Sequence, residues 1–107
     1  MIESLRDGIQ AEIRRGSYRF TIHAGERMIE RHIAVSEVEE AILAESAEVI
    51  EDYPNDPRGS SCLVLGMTAK ERPLHVQCSY PPNVVVITAY EPELTEWLDW
   101  RTRREKR

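Results

Sequence analysis

The 107-residue sequence contains no apolar run near the roughly 18 residues a bilayer crossing requires, so no membrane helix is expected. Its start, Met1-Ile2-Glu3-Ser4-Leu5-Arg6, lacks a cationic stretch followed by an apolar block. No secretory signal is read there, and a cytoplasmic location is the expectation. Cysteine is scarce. Cys62 and Cys78 are too few for a disulfide framework and read most simply as small buried apolar side chains, with a redox or metal role as the alternative. Neither adjoins a histidine in a hydrolase-like motif, and neither a GxSxG elbow nor a glycine-rich phosphate loop occurs. There is no CxxC or HxxxH pairing. His75 and Cys78, three apart on an expected strand, point to opposite faces. No metal and no cofactor are therefore expected. Repeats and low-complexity segments are also missing, and one domain over 1–107 is the expectation.

A basic balance is lacking too. The formal net charge is −5, which does not advertise phosphate binding. The charge is segregated, however. Between Glu37 and Asp56 eight acidic side chains meet no Lys or Arg, whereas Arg101-Thr102-Arg103-Arg104-Glu105-Lys106-Arg107 is strongly basic and Arg14, Arg15, Arg19, Arg27 and Arg31 form a second basic group. Segregation of this kind allows local RNA binding by an acidic protein. A basic tail serves equally as a solvated helix end whose cations favour the negative pole of the dipole.

Apolar residues make up 41% of the chain, ordinary for a globular domain. Ile2, Leu5, Ile9, Ala11 and Ile13 space out a helix over 2–15 that Gly16 stops. Residues 17–22 alternate as a short strand or extended link. A second helix is expected over 23–33 with Met28, Ile29 and Ile33 inward; Gly25 in its first turns costs about 1 kcal/mol relative to Ala, which a close backbone approach would explain. Ser36-Glu37-Val38-Glu39 matches a capping box, so a third helix should follow Ser36, with Val38, Ala41 and Ile42 inward. Residues 47–53 alternate as a strand, and Pro54-Asn55-Asp56-Pro57-Arg58-Gly59 is a turn cluster. Strand-like runs over 61–68, 74–80 and 84–91 follow with short connections, which imply antiparallel neighbours, and apolar Val84-Val85-Val86-Ile87 should be central. A last helix from about 93 carries Leu94, Trp97, Leu98 and Arg101. The expected class is α+β: an antiparallel sheet of about four to five strands with helices packed on it.

Two constellations could carry chemistry. His23, Arg27 and Arg31, spaced i, i+4, i+8, share one helix face and offer a proton carrier with two bidentate anion clamps; beside Glu26 and Glu30 the arginines serve equally as surface ion pairs. On the strand after Pro73, His75, Gln77 and Ser79 share the face opposite Leu74, Val76 and Cys78, where they meet either water or a cleft. Pairing Ser79 with Val84 would set His75 opposite Thr88, the favoured register; pairing Tyr80 with Val84 would separate them.

Thr21-x-His23-Ala24-x-x-Arg27-Met28-x-x-Arg31-x-Ile33, then Glu48-Val49-Ile50-Glu51-Asp52-Tyr53-Pro54, Leu63-Val64-Leu65-Gly66, Leu74-His75-Val76, Ile87-Thr88-Ala89-Tyr90-Glu91-Pro92 and Trp97 together resemble a bacterial domain family of unknown function, related to RelE/ParE/BrnT-type toxins. The likeness covers about 18–100. It implies a RelE/barnase-like sheet and a toxin-like, metal-independent ribonuclease of a type II toxin–antitoxin system. In that chemistry the 2′-hydroxyl attacks and a cyclic phosphate forms. His23 or His75 would then be general base or acid, Arg27 and Arg31 would stabilise phosphate charge, and Thr88 and Tyr90 would orient substrate. RNA and a zinc-finger antitoxin protein are the implied partners. The alternative is a catalytically inactive RelE-like binding module contacting protein or nucleic acid.

Overall fold

The computed structural model describes residues 2–104, with side chains from Leu5 onward. The basic residues Lys106 and Arg107, with Glu105, and the Ile2 side chain thus lie outside the described residues. Helix α1 (Ile2–Arg14) buries Ile9 and Ile13. Gly16, at φ 69°, lets Ser17 N–H reach Glu12 O (2.9 Å) and Gly16 N–H reach Ile13 O (3.0 Å), a Schellman closure. Strand β1 (Tyr18–Phe20) leads to α2 (Ile22–Glu30), whose N-cap Thr21 accepts the Ala24 N–H at 2.9 Å. Helix α3 (Val35–Leu43) starts before Ser36: the N-cap is Ala34, and Glu37 rather than Glu39 reaches back, accepting the Ala34 N–H at 2.9 Å.

Strands β2 (Glu48–Tyr53), β3 (Ser61–Met67), β4 (Pro73–Ser79) and β5 (Val84–Tyr90) complete a five-stranded sheet in the order β1-β5-β4-β3-β2. The α+β class is as expected, but the sheet is mixed. β1 pairs with β5 in parallel, because the chain between them leaves through α2 and α3 and re-enters from the far edge. β5 is interior, flanked by β1 and β4.

All three helices pack on one face. Val64, Val76, Cys78, Val86 and Ala89 from the sheet join Ile9, Ala24, Met28, Val38 and Ile42 in the main core. Each fully buried aliphatic side chain contributes about 1.5–3 kcal/mol. Ile29, expected inward, is 77% exposed. Gly25 has nothing within 4 Å of a notional Cβ, so no close approach explains it.

The opposite face carries the main departure. The helix expected from about 93 is absent. In its place β6 (Trp97–Leu98) and β7 (Thr102–Arg103) form a two-stranded hairpin around Asp99 and Trp100, both left-handed at φ 52° and 63°. Trp97 points in and is 1% exposed, whereas Leu94 and Leu98, which a helix would have aligned with it, are 54% and 51% exposed. The side chain that must be buried is a single Trp, and a strand that alternates in and out provides for it with less chain than a helix. A bulge in β2 after Val49 turns Glu51 to this face, opposite Leu63. Among the described residues no helix is long and apolar enough to cross a membrane.

Candidate functional site

Strand β1 stops at Phe20, opposite Val86, so among the described residues the outer edge of β5 from Ile87 to Tyr90 has no strand neighbour. Arg31, the C-cap of α2, covers it. Its guanidinium donates to Ala89 O (3.0 Å) and to Thr88 Oγ1 (3.4 Å), and its Cζ lies 5.9 Å from the Tyr90 ring centroid. An edge carbonyl without a ladder partner is thus satisfied by a side chain 58 residues away in the chain.

Tyr90 connects this edge to His75. The register differs from the favoured one: beside the turn Cys78 pairs with Val86, the offset that pairing Tyr80 with Val84 would give, and a bulge at Ile87 shifts it by one residue more, so that Gln77 pairs with Thr88 and His75 with Tyr90. His75 Nε2 lies 2.6 Å from the carbonyl of Trp100, which can only accept, so that nitrogen carries the proton. Nδ1, 3.2 Å from the Tyr90 hydroxyl, then accepts from it. Trp97 closes over the imidazole at a centroid distance of 4.4 Å, and the ring is wholly buried. Burial pushes the His75 pKa below its usual value, outweighing the Trp100 carbonyl, which favours the cation. Burial likewise raises the Tyr90 phenol.

The edge opens into a cleft of about 540 Å³ lined by Arg31, Arg72, Tyr90, Glu91, Glu93 and Glu96. Arg72 donates to Glu91 (2.8 Å), Glu37 (3.3 Å), His32 O (3.0 Å) and Arg31 O (3.2 Å), which holds the backbone beneath Arg31. Glu91 first, and then Glu37, raise its pKa. Among the described residues no group of three or more His, Cys, Asp or Glu side chains is placed to hold a metal ion.

Of the six residues singled out, Arg31, His75, Thr88 and Tyr90 come together. His23 and Arg27 do not join them. His23 is exposed on the first turn of α2, and Arg27 is exposed and pairs with Glu30 at 2.9 Å. Along a helix rising 1.5 Å per residue His23 lies roughly 12 Å from Arg31. Moreover α2 packs on the helix-bearing face, and His75 points to the other.

Arg72, Glu93 and Glu96 are not among the residues singled out from the sequence, and Glu91 and Trp97 enter there as part of the family resemblance and of the expected last helix, with no site role. The acid-rich run Glu91-Pro92-Glu93-Leu94-Thr95-Glu96 directly after a strand was the available signal; for Arg72 there was none. The segregated charges also meet: Arg103 pairs with Glu51 (3.0 Å) while stacking 4.6 Å above Trp97, and Arg101 pairs with Glu48.

Residues 20–91 match the model of a family described as Domain of unknown function (DUF4258). The chain belongs to that family. No curated protein and no solved structure matches it. The matched part of this DUF4258 domain contains Arg31, Arg72, His75, Thr88 and Tyr90; it ends before Glu93, Glu96 and the hairpin that roofs His75.

Proposed function

We propose that this DUF4258 domain is a RelE-like binding module without catalytic activity, whose cleft at the β5 edge takes a protein segment of mixed charge. The charge set of the cleft carries this reading: two guanidinium groups, Arg31 and Arg72, stand among three carboxylates, Glu91, Glu93 and Glu96. A nucleic-acid phosphate gains from cations without competing anions and is repelled by carboxylates at this range. A polypeptide carrying both signs can pair with both, and a proteinaceous antitoxin is the partner class we favour. His75 supports the same reading, since both its ring nitrogens are engaged and Trp97 covers it, and none of the residues lining the cleft is a histidine. The test is co-expression with a zinc-finger antitoxin-type protein and co-purification of the pair. The complex should form with the unaltered chain and fall apart with Arg31→Glu or Glu93→Arg. Specific cleavage of RNA by the pure protein, abolished by Arg31→Ala, would sink the proposal.

A second reading, the toxin-like metal-independent ribonuclease, draws on one observation. Arg31 reaches Thr88 and Tyr90, and the Tyr90 hydroxyl in turn touches His75, so an anion clamp, a hydroxyl and an imidazole form a chain. With the hairpin displaced, Arg31 would stabilise charge on the phosphate while His75 exchanges the proton of an attacking 2′-hydroxyl. This version requires growth arrest and RNA loss on induced expression, relieved by Arg31→Ala and by His75→Ala.

A further inference from the structure

Cys62 and Cys78, residues 16 apart in the chain, are direct cross-strand partners in the antiparallel β3–β4 ladder. Both are free thiols, fully buried on the helix-bearing face. Directly opposed residues of an antiparallel pair have Cα atoms about 4.5–5.5 Å apart, inside the roughly 4.4–6.8 Å that a disulfide spans. The two side chains also emerge on the same side of the sheet, which a disulfide requires. Their rung is the last but one. Only the Ser61–Ser79 pair lies outside it, followed by the Tyr80 N–H to Ser60 O bond (3.2 Å) and the hydrogen bond from the Tyr80 hydroxyl to Asp52. On the other side of β4 the ladder is interrupted next to Cys78, where Ile87 has no partner. The thiols therefore lie near the end of the β3–β4 ladder, where local opening costs less than at its middle.

We propose that Cys62 and Cys78 form a thiol–disulfide exchange site, converted to an intramolecular disulfide by a small-molecule disulfide of the glutathione class. The thiolate of one cysteine attacks a sulfur of the small disulfide, giving a mixed disulfide and one small thiolate, which takes up a proton. The second cysteine, having lost its proton, attacks the protein-side sulfur and expels the other small thiol. Two protein thiols give up two protons and two electrons, and the small disulfide takes these up to become two thiols. The Cys62 contact and burial hold the Cys78 thiol above its usual range, so the exchange speeds up as pH rises.

The experiment incubates the folded chain with oxidised glutathione over a range of ratios to reduced glutathione, traps remaining thiols by alkylation and reads intact mass. The expected product is lighter by two hydrogens, takes no alkylating agent and returns to the starting mass with dithiothreitol. A Cys78→Ala chain, treated alike, should stop with one glutathione attached. The proposal is overturned if the folded wild-type chain keeps two alkylatable thiols while the urea-unfolded chain oxidises, or if it gathers two glutathiones without an internal bond.

Discussion

Trp97 stands edge-on against His75, their ring planes 89° apart, and the backbone of the same hairpin completes the enclosure through the Trp100 carbonyl. The imidazole read from sequence as a proton carrier is therefore a neutral structural element that receives the Tyr90 hydroxyl and orients it at the cleft. Its neutrality has a price in acid. A histidine whose folded pKa lies below the unfolded value of about 6.5 binds protons more readily when unfolded. Its contribution to stability is complete above that value and is lost as pH falls below it towards the folded pKa. Urea unfolding at pH 7.5 and 5.5 should show the wild-type chain losing more stability on acidification than His75→Gln, which has no proton to take up.

Removing the roof tests the hairpin directly. Trp97→Ala deletes a fully buried indole and should cost about 3 kcal/mol by the usual scale for such truncations, read from urea unfolding. Trp100→Gly should not do so. The group that meets His75 is the Trp100 backbone carbonyl, and glycine suits the left-handed conformation there (φ 63°) better than tryptophan. The two tryptophans, three residues apart, should thus behave oppositely in one denaturation series.

Two glycines make a second contrast. A Cβ on Gly66 would lie 1.8 Å from the carbonyl oxygen of Ala41, where α3 crosses β3 with backbone against strand. Gly66→Ala should destabilise by about 3 kcal/mol or more, since neither main chain can yield cheaply. Gly25, in α2, has open space around it, so Gly25→Ala should stabilise by about 1 kcal/mol. Thermal melts of the two variants should move in opposite directions.

Arg72 ties the β3–β4 connection to the C-terminal end of α2. Arg72→Met keeps the length of the stem but removes four acceptors' partner, leaving the Arg31 and His32 carbonyls, Glu37 and Glu91 without it. A loss of about 1–3 kcal/mol is expected. Amide hydrogen exchange should show the effect concentrated around 31–37, with the central strands little changed.

Local periodicity determined much of this protein. The three helices, the four strands from 48 to 90 and the division of β4 into an apolar face and a His75–Gln77–Ser79 face follow from repeats of 3.6 and 2 residues. These are properties of neighbouring residues and can be read without knowing what packs against them. The parallel edge pairing of β1, the bulges that move Glu51 and Thr88 to new partners, and the contact of Arg31 with Ala89 were decided only in three dimensions. Each depends on which segment lies across the sheet, and a shift of one residue in register exchanges partners without altering any local pattern. The helix that 94–101 spelled out gave way for the same reason. Trp97 finds its burial against His75 on the open face of the sheet, and that contact outweighs the propensity of the residues around it.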